Sequence, residues 1–275
     1  MNTIENFILD RSEIGFLFKP IGHYNRLICS SLRDDKFYPF QEYTFNKKGH
    51  IDTETGIQGG WTAYPPGSTP PEPTKYLRKY SYSSSRLSKI EETERITGEL
   101  LKSYLFSYES NNLALITEYN KEHENYHPKT TQFYYNTGGY LIGKKVSLLS
   151  PFETKNYIKT DLHRNKENRI TITTKVETSE IKGEVISKNA ISSCVISYDK
   201  NTITKKCIYT NHKNPYIISA ELLHHQRNLI KEINYHNKAF AGKRITYEYD
   251  EKSSNLIQET TTENDKAHVM HYKYE

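Results

Sequence analysis

One phrase recurs along this chain and limits its fold more than any other feature: two aromatic or apolar residues at i and i+2, a short polar residue, a polar run, then Leu or Ile. It reads Y-T-F-N-K-K-G-H-I from Tyr43 to Ile51, Y-S-Y-S-S-S-R-L from Tyr80 to Leu87, and F-S-Y-E-S-N-N-L-A-L-I from Phe106 to Ile116. Further copies are F-Y-Y-N-T-G-G-Y-L-I from Phe133 to Ile142, I-S-Y-D-K-N-T-I from Ile196, I-N-Y-H-N-K-A-F from Ile233, and Y-E-Y-D-E-K-S-S-N-L-I from Tyr247. The chain ends on another start, H-Y-K-Y-E. From Tyr82 to Tyr108 is 26 residues, from Tyr108 to Tyr135 is 27, and from Tyr249 to Tyr274 is 25.

Rings at i and i+2 share one face of a strand, because strand side chains alternate with period two. The Asp, Asn, Ser or Glu that follows is turn chemistry, and the Leu or Ile begins a return strand. Each copy therefore reads as a β-hairpin or half of one. A hairpin is marginal alone, so neighbouring units must pair to bury their aromatic faces. Composition agrees: 23 Tyr and 10 Phe accompany only seven Ala, so sheet formers replace the best helix former.

The aromatic-x-aromatic-Asp/Asn-x-x-Gly-x-Leu/Ile pattern resembles the YD repeat of the Rhs family, and Tyr43 to Ile51 matches it best, with Asn46, Gly49 and Ile51 in register. The resemblance covers roughly residues 43–275, with a gap between about 146 and 192, and several copies lack the Gly. It implies an all-β protein: a single elongated antiparallel meander of YD-like hairpins over residues 1–275, curved or rolled. Residues 1–40 lie outside the pattern and supply an apolar, non-repeat N-terminal cap.

No run of 18 apolar residues occurs, and the N-terminus lacks a basic, uninterrupted signal pattern. Three cysteines are too few for a disulfide framework, so the expected location is cytoplasmic. A two-residue loop at Lys200-Asn201 places Cys194 opposite Cys207, near disulfide geometry, and a reducing compartment favours two thiols there. The net charge of +5 is spread out, which argues against nucleic acid.

Candidate sites lie where the pattern breaks. The Pro-rich segment 59–76 carries the only Trp, and Trp61, Tyr64 and Tyr76 are candidate anchors for a partner. His123-Glu124-Asn125-Tyr126-His127 spells a zinc-protease motif, with His123 and His127 as ligands and Glu124 as base. Pro128 pushes His127 out of the helical region that such a site needs, so a solvated turn is the better account. No cofactor is expected. The resemblance and the absence of export signals together imply a non-enzymatic cytosolic immunity protein that occludes a cognate toxin and contacts neither nucleic acid nor membrane. A structural or carbohydrate-binding β module, and a zinc metalloprotease, are the alternatives.

Overall fold

The computed structural model describes residues 22–33, 35–58, 74–110, 112–123, 128–139, 141–147, 155–164, 170–179, 185–199, 201–209, 214–223, 229–236 and 242–275. The chain runs through β1 (Arg26–Arg33), β2 (Lys36–Phe45), β3 (Ile51–Gln58), β4 (Thr74–Ser83), β5 (Arg86–Glu94) and β6 (Leu100–Glu109). It continues through β7 (Asn112–Asn120), a 3-10 turn (Lys121–His123), β8 (Lys129–Tyr135), β9 (Leu141–Ser147), β10 (Lys155–Arg164), β11 (Ile170–Ser179) and β12 (Val185–Asp199). The last six strands are β13 (Thr202–Tyr209), β14 (Tyr216–Leu223), β15 (Leu229–Tyr235), β16 (Arg244–Tyr249), β17 (Leu256–Glu263) and β18 (Lys266–Tyr274).

All 18 strands form one sheet in which each pairs antiparallel with the next. The sheet then closes on itself. β18 returns beside β1, with Leu27 opposite Tyr274, Cys29 opposite Tyr272 and Ser31 opposite Met270. At the far side β9 and β10 pair from Tyr157 with Ser147 to Asp161 with Gly143, so the ring is continuous there. This corrects the expectation of an open or rolled meander: the molecule is a closed up-and-down barrel. Closure satisfies the edge hydrogen bonds that an open sheet of this length would expose. Part of the expected cap, Arg26–Arg33, is the closing strand.

Each clear copy of the repeated phrase builds the same hairpin. The ladder shifts register just before the second aromatic in five of them, between Thr44 and Phe45, Ser81 and Tyr82, Ser107 and Tyr108, Tyr134 and Tyr135, and Glu248 and Tyr249. In every case the second aromatic pairs with the Leu or Ile of the return strand: Ile51, Leu87, Leu113, Leu141 or Leu256. One extra residue follows it, which makes a β-bulge and adds local twist. The Asp or Asn acts as the turn chemistry requires. Asn46 Oδ1 accepts from the amides of Lys48 and His50, Asn136 Oδ1 from Gly138, and Asp250 Oδ1 from Lys252 and Ser253. Gly49 and Gly139 sit three residues on at φ of 73° and 77°, where a Cβ would be strained.

The second tyrosine also ties one unit to the one before it. The hydroxyl of Tyr82 donates to the Ile51 carbonyl (2.8 Å), Tyr108 to Leu87 (3.0 Å), Tyr135 to Leu113 (3.0 Å) and Tyr249 to Ile230 (2.7 Å). In the first three the acceptor is the return-strand Ile or Leu of the preceding copy. Each ring thus fills the inner face while its polar tip latches a neighbouring hairpin.

Inward-facing side chains gather into two apolar clusters. One spans β1 to β8 and includes Leu27, Ile51, Ile90, Phe106 and Ile116. The other spans β11 to β18 and includes Ile172, Ile196, Ile203, Ile230 and Tyr247. Tyr272, beside the closing strand, packs against both.

Candidate functional site

The inward face of β2 to β5 holds a polar centre inside the first cluster. Alternation puts Gln41, Glu54, Tyr76, Arg78, Tyr80 and Glu92 on that face. Glu54, 2% exposed, accepts from the hydroxyls of Tyr76 (2.8 Å) and Tyr80 (2.5 Å), the Arg78 guanidinium (2.9 Å) and the Gln41 amide (2.7 Å). Arg78 Nε donates in turn to Glu92 Oε2 at 2.6 Å, and Glu92 is fully buried. Glu92 Oε1 has no hydrogen-bond partner among the described residues, and Lys102 stands opposite Glu92 in the ladder.

The electrostatics follow from this crowding. Burial and then the Glu54 charge push the Tyr76, Tyr80 and Tyr43 hydroxyls above their ordinary range. Burial, with Glu54 second, raises the Cys29 thiol to about 12. Burial opposes the Arg78 charge, but Glu54 and Glu92 outweigh it and hold the guanidinium above its usual value. Three donors converge on Glu54 Oε1 and one takes Oε2, so this buried carboxylate is a staple across three strands. It is poorly placed to move a proton for a substrate.

Tyr76 belongs to that staple. It is 8% exposed, and its ring lies over Gly56, where a Cβ would come within 2.5 Å of the Tyr76 oxygen. The other two anchors expected with it, Trp61 and Tyr64, lie outside the described residues. So do Glu124 and His127; His123 closes the 3-10 turn between β7 and β8. Among the described residues no group of three His, Cys, Asp or Glu is placed to hold a metal. The staple itself was not visible in sequence, because Glu54 and Glu92 look like ordinary surface carboxylates. The available signal was their position in rows that otherwise carry apolar or aromatic side chains.

Cys194 and Cys207 face each other in the ladder of β12 and β13 and are joined in a disulfide. The thiol pair expected there is thus corrected. A cross-strand disulfide persists in an oxidising compartment, not in a reducing cytosol.

The outer face is mostly polar, with Leu105, Tyr119, Val195 and Ile208 exposed among its charged and hydroxyl side chains. Lys79 pairs with Glu91, Ser81 with Lys89 and Leu77 with Thr93 on the outward rows of β4 and β5, alternating with buried Tyr80 and Ile90. Lys206, Glu221 and Glu248 hold equivalent outward positions on β13, β14 and β16. Lipid-spanning barrels show the opposite alternation, apolar outside and polar within.

No family model and no curated protein matches the chain. Among solved structures it is similar to a porin-like protein from Bacteroides uniformis, at 10% identity and a TM-score of 0.44 over 93% of this chain and 99% of that one. A porin-like protein from Bacteroides vulgatus is similar at 9% identity and a TM-score of 0.38, over 92% and 98%.

The expectation of a cytosolic immunity protein that occludes a toxin and contacts no membrane is corrected with the sheet on which it was built. The barrel is closed, and one of its hairpins carries a disulfide. That no helix among the described residues could cross a membrane says nothing about a barrel, which crosses with strands.

Proposed function

We propose that this chain is a non-enzymatic barrel built from YD-like hairpin units, working in an oxidising, extracytoplasmic compartment and presenting its hairpin tips and charged outer wall for binding. The observation that carries the reading is the Cys194–Cys207 disulfide within a closed barrel. The repeat assignment is supported by the common bulge, the Asx turn and the tyrosine latch. A non-enzymatic role fits the burial of Glu54 among four donors and the burial of Glu92.

The outer wall chemistry suits water, proteins or lipid headgroups better than acyl chains. Each Lys or Arg placed at a bilayer midplane costs about 2–4 kcal/mol, and Lys79, Lys89 and Lys206 lie on outward rows. Purification without detergent, followed by flotation with anionic and neutral vesicles and thiol titration under denaturant, tests the reading. A soluble protein with one titratable thiol, from Cys29, supports it. A protein that stays in solution only with detergent and conducts ions in a planar bilayer replaces it with a membrane-spanning barrel.

A further inference from the structure

A groove of about 660 Å³ runs along the outer face of β6 to β9, between the tips of two hairpins. Leu115, Gln132 and Tyr134 form its floor, and Ile142, the bulge residue of its hairpin, stands exposed at one side. Glu109, Ser110 and Asn112 close the end at one hairpin tip. The opposite tip comes near: a Cβ at Gly139 would sit 3.9 Å from Asn112 Nδ2. The volume falls in the range of small-ligand sites.

Three features define what fits. First, the chain carries 38 Lys and Arg against 33 Asp and Glu, and lysines dot its outer wall, yet among the described residues no basic one lines this groove and Glu109 does. Lys144 and Lys145, opposite Phe133 and Gln132 in the ladder, are the cations nearest in register, and both already have interactions of their own. Second, the Glu109 carboxylate and the Asn112 amide make no hydrogen bond within the described protein. The Tyr134 hydroxyl donates to Gln132 Oε1 at 3.0 Å, which leaves the Gln132 amide nitrogen as a donor. Third, the half-buried Tyr134 ring and the Leu115 and Ile142 side chains give an apolar floor.

We propose that this groove binds a basic, peptide-like ligand: a guanidinium or ammonium pairs with Glu109, its stem lies on Tyr134 and Leu115, and flanking amides bond to Asn112 and Gln132. A guanidinium over a tyrosine face gains a cation–π contact in addition to the ion pair. Side-chain amides present both donor and acceptor, which matches a peptide group.

Calorimetry with N-acetyl-arginine N-methylamide tests this directly, with the citrulline analogue and methyl glucoside as neutral probes. Saturable binding of the arginine compound is expected, weakened about tenfold in Glu109→Gln, with the citrulline analogue similarly weak on the native protein. Glu109 lies at an exposed strand end, so the variant keeps the fold, and circular dichroism verifies that. No saturable binding at millimolar concentration, equal binding of either neutral probe, or an unchanged affinity in Glu109→Gln overturns the proposal.

Discussion

The tyrosine latch can be removed one hydroxyl at a time. Tyr82, Tyr108, Tyr135 and Tyr249 each donate one hydrogen bond to a carbonyl of an adjacent strand, at 2.7–3.0 Å, and each is partly buried. Tyr→Phe keeps the ring and its packing, so the change isolates the bond. A neutral hydrogen bond contributes about 1 kcal/mol net, within a range of roughly 0.5–1.5. The latches lie in separate hairpins with no shared acceptor, so their effects add, and the fourfold variant loses about 4 kcal/mol. That is a large share of the roughly 5–15 kcal/mol that holds a typical domain folded. Urea unfolding followed by circular dichroism reads it as a midpoint that falls stepwise at constant slope. Tyr119→Phe is the control, since Tyr119 is 46% exposed and points outward. If the fourfold variant unfolds within about 0.5 kcal/mol of the native protein, the hydroxyls are incidental and the units are held by ring packing alone.

The staple gives a larger single effect. Arg78→Met strands two buried carboxylates and costs about 3–5 kcal/mol by thermal unfolding, whereas the triple Arg78→Met, Glu54→Gln, Glu92→Gln variant recovers much of that loss. Gly56→Ala lowers the melting temperature, because its Cβ would meet the Tyr76 oxygen at 2.5 Å, and Tyr76→Ala in the same chain relieves part of the defect. Reduction of Cys194–Cys207, which closes a loop of sequence separation 13, costs about 2–3 kcal/mol, read as a shift in urea midpoint with and without dithiothreitol. Alkaline pH destabilises the barrel. Burial raises the Cys29 thiol and the Tyr82 hydroxyl each to about 12, so the folded state holds protons that the unfolded chain has already released. Their stabilisation is complete below the unfolded pKa and disappears as pH rises towards 12, so stability that does not fall between about pH 9 and 12 refutes the assignment.

What was legible in the sequence was local. The aromatic pair of Tyr247 and Tyr249, the Asp250 turn and the return at Leu256 lie within ten residues of one another, and period-two alternation and short-range turn chemistry suffice to read them as a hairpin. The bulge was written there too, in the one residue more that separates Leu256 from its ladder neighbours, but it shows only when the register of both strands is known. Closure was not legible. It rests on β1 meeting β18, residues nearly the whole chain apart, and no local period distinguishes a strand that ends a sheet from one that seals it. The expected cap over residues 1–40 hid the closing strand for that reason: Leu27 and Cys29 form a strand that is recognisable only with Tyr274 and Tyr272 opposite them. The staple was hidden in another way. Glu54, Arg78 and Glu92 are 24 and 14 residues apart, and only the pairing of β3 with β4 and of β4 with β5 brings their alternating rows into line. Repetition therefore carries over a consequence for binding: residues that define the hairpin unit, such as Tyr80 and Tyr82, are consumed in holding it. Groups left with unspent hydrogen bonds, such as Glu109 and Asn112, occur at the tips, where each copy differs from the next.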